Sequence, residues 1–263
     1  MPNSTDSFKT FYSLNKTNDI NPIVFIHGVG LNQEMWKPQI NFFKNYTTLT
    51  YDFLGHGKTL LEKEKLTFKE LSEQLNSLIS FLDLGKIHLI GFSMGALIAR
   101  NFSLAYGDKL KSLTIFGSIY QRTSEQREKV MYRLKQTKLS NSLSDEALKR
   151  WFSNEFLVKN PKIYKEIFEI LENNNHKNFL KAYELFAKYR DNDDLAKIKT
   201  KTLIMTGEND VGSTPEMSMN LSKKIKGSKY VGIKGGKHLC SIECPDDVNM
   251  TLKQFIDENN AQT

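Results

Sequence analysis

The sequence of 263 residues predicts an α/β protein, with a mostly parallel central sheet flanked by helices. Short apolar runs rich in β-branched residues alternate with amphipathic stretches, which is typical of repeated βαβ units. Several runs, such as IVFI, IHLIGF and LTIFGS, are apolar throughout, as expected for strands that helices cover on both faces. Since 39% of residues are hydrophobic and 25% charged, the chain suits one large globular domain, or one domain with an insertion.

Composition also excludes several classes of protein. No apolar run approaches the roughly 18–20 residues of a membrane-spanning helix, and the first residues lack the apolar core of a secretory signal. Two cysteines cannot form a disulfide scaffold. The formal net charge of +7 comes from lysines that are scattered among glutamates, which argues against nucleic acid as a partner. We therefore expect a cytoplasmic protein with neither a membrane nor a nucleic-acid partner.

The apolar runs define the expected strands. A first strand is expected near Lys9–Leu14. The others are predicted over Ile23–Ile26, Thr47–Phe53, Lys86–Phe92, Leu110–Phe116, Lys201–Thr206 and Lys229–Ile233.

Capping residues mark where the helices between these strands begin. Thr67 and Glu70 have the spacing of a capping box, which predicts a helix over Phe68–Leu84. A cap residue followed by proline predicts another helix after Thr214, and Pro245 opens the last helix in the same way.

The alternation of strands and helices stops in the middle of the chain. Residues 119–195 contain no strand pattern, and we expect them to form a helical lid inserted between two strands of a core made of residues 1–118 and 196–263. Its helices are predicted after the capping box of Thr123 and Gln126, and over Ser144–Phe156, Pro161–Glu172 and Asn178–Tyr189.

The strongest functional motif is the pentapeptide Gly91–Gly95, GFSMG, between a predicted strand and a predicted helix. In a sharp strand-to-helix turn, Ser93 would be held in a strained conformation while the flanking glycines let the strand and the helix approach closely. The hydroxyl would then project above the sheet at a helix N-terminus. Ser93 is the predicted nucleophile.

A serine hydroxyl needs a neighbouring base, and the motif predicts the order nucleophile, acid, histidine. His238 follows the last predicted strand in the loop GGKH, whereas His176 lies in a polar stretch of the insertion. Asp210 follows the strand KTLIMTG and is the predicted acid, with Glu208 in the same loop as its rival.

Acyl chemistry also needs donors for the oxyanion that forms on the substrate. The loop HGVG follows the strand Ile23–Ile26, so the Val29 N–H can face the site. The Met94 N–H, one residue after the nucleophile, is the expected second donor.

These motifs resemble those of the α/β-hydrolase superfamily in their order along the chain: HGVG, the Asp52-x-x-Gly-His-Gly-x-Thr59 loop, GFSMG, GEND and GGKH. His27–Trp36 resembles pimeloyl-[acyl-carrier protein] methyl ester carboxylesterases, and Gly207–Pro215 is similar to 3-oxoadipate enol-lactonases. Ala96 departs from many members, which have a second glycine there. The resemblance implies an α/β-hydrolase fold, a serine rather than an aspartate nucleophile, and no cofactor.

Other motifs have simpler interpretations. The resemblance implies a structural role for Asp52 and His56. The spacing of His238, Cys240 and Cys244 does not match a zinc site, so no metal is expected. Trp36 could line the mouth of the pocket or pack against the first helix; the candidate pocket residues are Gly28, Trp36, Trp151 and Phe152.

The predicted lid is also rich in cations. A solvated face is the preferred interpretation; the alternatives are a dock for an acidic partner such as an acyl-carrier protein, or a guanidinium that orients a substrate carboxylate. The residues are Arg122, Arg127, Lys129, Arg133, Lys135, Lys138, Lys149 and Arg150.

The sequence thus predicts a serine hydrolase that cleaves a small carboxylic ester or lactone through a Ser93–His238–Asp210 triad and an acyl-enzyme. Two alternatives use the same residues: a hydrolase of a carbon–carbon bond in a dienoic keto-acid, or a cofactor-free perhydrolase. A third is a ligand receptor or signalling protein built on the hydrolase fold.

Overall fold

A computed structural model describes residues 6–17, 21–139 and 144–261, and a seven-stranded sheet forms its centre. The strands are β1 (Tyr12–Asn15), β2 (Ile23–Ile26), β3 (Thr48–Tyr51), β4 (Ile87–Phe92), β5 (Leu110–Phe116), β6 (Thr202–Gly207) and β7 (Lys229–Ile233). Their order across the sheet is β1-β3-β2-β4-β5-β6-β7. β1 is antiparallel to β3, and the other neighbours are parallel.

The predicted strands are confirmed, with small shifts at their ends. The first strand begins at Tyr12 rather than near Lys9, because Lys9 has a φ of 51° in a turn. Asp6 stabilises this turn by accepting hydrogen bonds from both the N–H and the hydroxyl of Thr10.

Eleven α-helices lie among the described residues, and none is long and apolar enough to cross a membrane. Those of the core are α1 (Lys37–Phe42), α2 (Phe68–Phe81), α3 (Met94–Tyr106), α9 (Pro215–Ser222), α10 (Cys240–Glu243) and α11 (Pro245–Asn260). Those between β5 and β6 are α4 (Ser124–Leu139), α5 (Ser144–Trp151), α6 (Asn154–Lys159), α7 (Pro161–Glu172) and α8 (His176–Ala187). The capping box of Thr67 and Glu70 forms as predicted.

Helices cover both faces of the sheet, which explains why its strands are apolar throughout. In β2, Val24 and Ile26 belong to the core beneath α2 and α3. Ile23 and Phe25 belong to the opposite core, beneath α1 and α11. All four side chains are fully buried.

Three helix predictions need correction. The helix expected over Phe68–Leu84 ends at Phe81, and Asp83 just beyond it has a φ of 49°. The helix expected over Ser144–Phe156 is interrupted, because Ser153 accepts a hydrogen bond from the Phe156 N–H and so caps a new helix. The helix expected from Asn178 begins two residues earlier, since Asn175 is its N-cap.

The insertion lies where the sequence predicts it, between β5 and β6. We keep the division into a core (1–118 and 196–263) and a lid (119–195) as a proposal. Residues 1–5, 18–20 and 262–263 of that core and residues 140–143 of that lid lie outside the described residues.

Candidate active site

Ser93 lies in the sharp turn between β4 and α3, with a φ of 54° and a ψ of −113°. This backbone conformation is strained for a residue with a side chain, and strain of this kind concentrates at functional sites. Gly91 and Gly95 make the turn possible. A Cβ at Gly91 would lie 2.2 Å from the Gly95 carbonyl oxygen, and one at Gly95 would lie 2.5 Å from two carbonyl oxygens of the β2 end.

The structure brings Ser93, His238 and Asp210 together. His238 Nε2 lies 3.2 Å from Ser93 Oγ, and His238 Nδ1 lies 2.6 Å from Asp210 Oδ2. We assign the ring proton to Nδ1, because a carboxylate oxygen can only accept. The lone pair on Nε2 then faces the serine hydroxyl, as a general base requires.

The backbone of the GEND loop holds Asp210 in place. Its Oδ1 accepts hydrogen bonds from the Gly212 N–H at 2.8 Å and the Ser213 N–H at 2.9 Å, which leaves Oδ2 for His238. The rival acid Glu208 points elsewhere: its side chain is exposed and lies against Gly232 in β7.

Two backbone N–H groups beside Ser93 have no hydrogen-bond acceptor among the described residues. One belongs to Met94, the first residue of α3, and the other to Val29 in the HGVG loop. The HGVG loop lies directly against the nucleophile, since a Cβ on Gly28 would come within 3.2 Å of Ser93 Cβ. The two predicted donors therefore flank the serine, where an oxyanion would form.

The HGVG loop is held by His56. His56 Nε2 accepts a hydrogen bond from the Gly30 N–H at 2.9 Å, and burial lowers the pKa of His56 to about 3, so the ring stays neutral. Asp52 accepts the N–H groups of Gln33 and Lys58. These contacts are structural, in agreement with the role that the sequence implied for both residues.

A cavity of about 430 Å³ opens above Ser93 and His238, between the core and the helices of the insertion. Its apolar lining includes Val29, Ile119, Trp151, Leu171, Phe179 and Phe186. Its charged lining comprises Arg122, Lys129, Arg133, Arg150, Glu172 and Asp210. Trp151, one of the candidate pocket residues, is in this lining, whereas the sequence did not distinguish Arg133 and Arg150 from the other cations of the insertion.

Three predicted pocket residues do not line this cavity. Trp36, which ends a short 3-10 helix over Gln33–Trp36, is fully buried and packs on the rings of Phe25 in β2 and Phe92 in β4. Phe152 is also fully buried and stacks on Phe156. Gly28 lies behind the cavity, against Ser93. Trp36 therefore packs in the core, and its ring contacts are with the sheet rather than with the first helix.

Sequence reasoning missed Asn174. It lies in the polar stretch ENNNHKN, yet it lines the cavity and its Nδ2 donates a hydrogen bond to the Gly30 carbonyl at 2.6 Å. This contact connects the insertion to the loop that carries Val29. An asparagine just after a helix resembles an ordinary end signal, so its long-range partner was not visible in the sequence.

No group of three or more His, Cys, Asp or Glu side chains able to hold a metal occurs in the described part of the chain. Both cysteines are free thiols. Cys240 is fully buried, and desolvation raises its pKa well above the usual thiol value. Both features favour packing over reactivity.

Comparison with known proteins agrees with this architecture. The (E)-2-((N-methylformamido)methylene)succinate hydrolase of Acinetobacter baylyi is 30% identical over 242 residues, covering 90% of each chain. The 3-oxoadipate enol-lactonase 1 of the same organism is 26% identical, covering 89% of this chain and 88% of its own. The pimeloyl-[acyl-carrier protein] methyl ester esterase of Wigglesworthia glossinidia brevipalpis is 41% identical over 97 residues, 36% of each chain.

Among solved structures, the enol-lactonase of Burkholderia xenovorans superimposes with a TM-score of 0.89 at 22% identity, covering 97% of this chain and all of that one. Residues 21–245 match the family model described as the alpha/beta hydrolase fold. That match spans most of the chain and includes every motif of the site. The chain therefore belongs to the α/β-hydrolase fold family of hydrolases.

Proposed function

We propose that this protein is a serine hydrolase that cleaves a small carboxylic ester or lactone through an acyl-enzyme intermediate. One observation carries the proposal. His238 lies between Ser93 and Asp210 at the base of the cavity, within hydrogen-bond reach of both. This is the geometry by which a base activates a weak serine nucleophile.

In the first half of the reaction, Ser93 Oγ attacks the carbonyl carbon while its proton passes to His238 Nε2. Asp210 stabilises the imidazolium that forms, through its hydrogen bond to Nδ1. The N–H groups of Val29 and Met94 bind the oxyanion. When the tetrahedral intermediate collapses, the C–O bond to the leaving alkoxide breaks, and the alkoxide takes the proton from His238.

In the second half, a water molecule attacks the ester bond between the acyl group and Ser93. His238 accepts the proton of this water and then returns it to Ser93 Oγ as the acid departs. In a lactone, the alkoxide and the acid belong to the same molecule, so a single hydroxy acid or keto acid is released. The small volume of the cavity supports a small substrate.

The test is turnover of p-nitrophenyl esters from acetate to octanoate. We expect the wild type to be active, and Ser93→Ala to lower kcat/KM at least about 1,000-fold, because the nucleophile is lost. Ser103→Ala is the matched control. Ser103 lies on α3, the helix that follows Ser93, and it is buried, but it is not part of the cavity lining.

Activity that is unchanged in Ser93→Ala would contradict the mechanism. Absence of ester turnover in wild type, with a folded protein, would instead favour the carbon–carbon hydrolase, the perhydrolase or the receptor. Turnover of a dienoic keto-acid, halide-dependent peroxidation and ligand binding without turnover would then separate these three.

A further inference from the structure

Two guanidinium groups line the cavity without any partner. Arg133 comes from α4 and Arg150 from α5, and both side chains are half-buried. Neither guanidinium makes a hydrogen bond or an ion pair with a described residue, within the ranges 6–17, 21–139 and 144–261. Burial of an unpaired cation is costly in free energy, so a buried guanidinium usually has an anionic partner, either in the protein or in a bound ligand.

The two charges also act on each other. Burial lowers the pKa of Arg150 first, and the positive charge of Arg133 lowers it further. The carboxylates that line the same cavity are already engaged: Asp210 with His238, and Glu172 with the Ser144 hydroxyl. On the insertion side, Arg122, Arg133 and Arg150 face a single carboxylate, that of Glu172, so this side of the cavity has an excess of positive charge.

The other cations of the insertion differ from this pair. Arg122 donates to the carbonyls of Phe186 and Ala187 at the end of α8. Lys129 pairs with Glu125, and Lys138 pairs with Glu184. Arg122 thus has hydrogen-bond acceptors inside the protein, and Lys129 and Lys138 have carboxylate partners, whereas the guanidinium groups of Arg133 and Arg150 have neither among the described residues. The cavity therefore offers more to a small anion than these paired lysines offer to an acidic carrier protein.

The wall that α4 presents to the cavity is polar along its whole length. Its lining residues are Gln126, Lys129, Arg133 and Thr137, spaced three or four apart on one helical face. A wall built for a purely apolar substrate would carry aliphatic side chains at these positions. Here Val130 and Leu134 point instead into a small separate core.

We infer that Arg133 and Arg150 bind a free carboxylate of the substrate, so that the ester or lactone hydrolysed at Ser93 carries a second, anionic carboxylate group. The inference rests on the proposed function. Planar guanidinium groups match carboxylates with paired N–H donors, and a carboxylate between the two arginines would satisfy both and relieve their repulsion. The bound carboxylate at one end of the substrate would then position the reactive carbonyl at Ser93.

Matched substrates test this. The p-nitrophenyl half-esters of adipate, pimelate and suberate have the same carbon counts as the hexanoate, heptanoate and octanoate esters, and differ by one carboxylate. We expect wild type to prefer the best half-ester at least about 10-fold in kcat/KM. In Arg133→Met/Arg150→Met, the half-ester should lose about 10- to 100-fold, as expected for a lost charged hydrogen bond, with the neutral ester changing less than about 3-fold.

Arg127→Met is the control: Arg127 is also on α4, but it bonds the Tyr189 carbonyl and lies outside the cavity lining. Activity on the neutral ester reports that each variant is folded. Ser93-dependent turnover with no preference for half-esters would overturn this inference while leaving the proposed function intact. An equal loss on both substrates would overturn it as well.

A binding measurement gives an answer without turnover. Titration calorimetry of monomethyl adipate into Ser93→Ala should detect binding that Ser93→Ala/Arg133→Met/Arg150→Met loses at least about 10-fold and Ser93→Ala/Arg127→Met retains. Absence of binding to Ser93→Ala, or equal binding to all three proteins, would overturn the inference even if no ester is hydrolysed.

Discussion

At the scale of single residues, the two carboxylate oxygens of Asp210 have separate tasks. Oδ1 is fixed by two backbone N–H groups, and Oδ2 faces His238. The loop therefore sets the position of the carboxylate, and the carboxylate sets the tautomer of the imidazole. A change at Asp210 should alter catalysis by way of the ring, without moving Ser93.

We predict that Asp210→Asn lowers kcat about 1,000- to 10,000-fold on the best p-nitrophenyl ester. The amide can donate to Nδ1, which would place the ring proton on Nε2, the nitrogen that must accept the serine proton. Steady-state kinetics measures the loss. Glu208→Gln is the control in the same loop, and we expect it to stay within about 3-fold of wild type. A comparable loss of kcat in both variants would contradict the assignment of Asp210 as the acid of the triad.

How much of the site the sequence predicts depends on whether a residue follows a strand or lies on a helix. Ser93, Asp210 and His238 each follow a strand, and the carboxyl ends of parallel strands meet at one edge. Their meeting was therefore predictable. Whether Trp36 or Arg133 faces the cavity depends on how its helix packs. The spacing of residues along the sequence does not show which face of a helix will line the cavity.

At the scale of elements, Arg100 joins α3 to both ends of the insertion. Its side chain is fully buried and bonds Asp193 at 2.6 Å near the insertion's end, and the Ile119 carbonyl at its beginning. It also lies near the ring faces of Tyr120 and Tyr189. One side chain on the helix behind Ser93 thus holds both connections of the helical insertion.

We predict that Arg100→Met lowers the free energy of unfolding by about 3–5 kcal/mol, because it leaves the largely buried carboxylate of Asp193 without its cation. Urea denaturation measures the change. The double variant Arg100→Met/Asp193→Asn should recover part of the loss, since the uncompensated charge is removed too. Lys69→Met, in an exposed pair with Glu73, should cost less than about 1 kcal/mol. Equal losses of stability in Arg100→Met and Lys69→Met would contradict the stabilising role of the buried Arg100–Asp193 pair.

Element boundaries show the same division between local and distant causes. The capping box at Thr67 operates within one turn, and it was predictable. The break after Trp151 depends partly on Glu243, which accepts the Ser153 N–H across 90 residues of chain. A partner so distant in sequence leaves no local pattern, so the two helices α5 and α6 read as one.

At the scale of the whole molecule, the chain leaves β2 toward β3 on one side and returns to β4 on the other. This reversal opens a crevice at the carboxyl ends of β2 and β4, which is where open α/β sheets bind ligands. The HGVG loop and Ser93 flank it. The loops that build the crevice are themselves supported by His27 and His56, whose rings are fully buried.

These two histidines make the fold sensitive to acid. Burial lowers the pKa of His27 well below its ordinary value, with the nearby His56 lowering it further, and burial lowers that of His56 to about 3. Both rings are neutral in the folded protein, whereas in the unfolded chain each binds a proton below about pH 6.5. The unfolded state thus binds more protons, so stability is full above pH 6.5 and falls as the pH drops toward the folded pKa.

We predict that His27 and His56 each contribute a loss of about 2 kcal/mol in the free energy of unfolding between pH 8 and pH 5. Urea denaturation at pH 8, 6.5 and 5 measures how the free energy of unfolding changes with pH in wild type and in His56→Asn. The asparagine side-chain oxygen can still accept the hydrogen bond of the Gly30 N–H. The variant should lose about 2 kcal/mol less than wild type over this interval, because its unfolded state binds one proton fewer. Asp52, whose pKa burial raises, acts in the opposite direction in both proteins, so the difference between them isolates the histidine. Identical slopes would mean that His56 is protonated in the fold, and that the HGVG loop is held in another way.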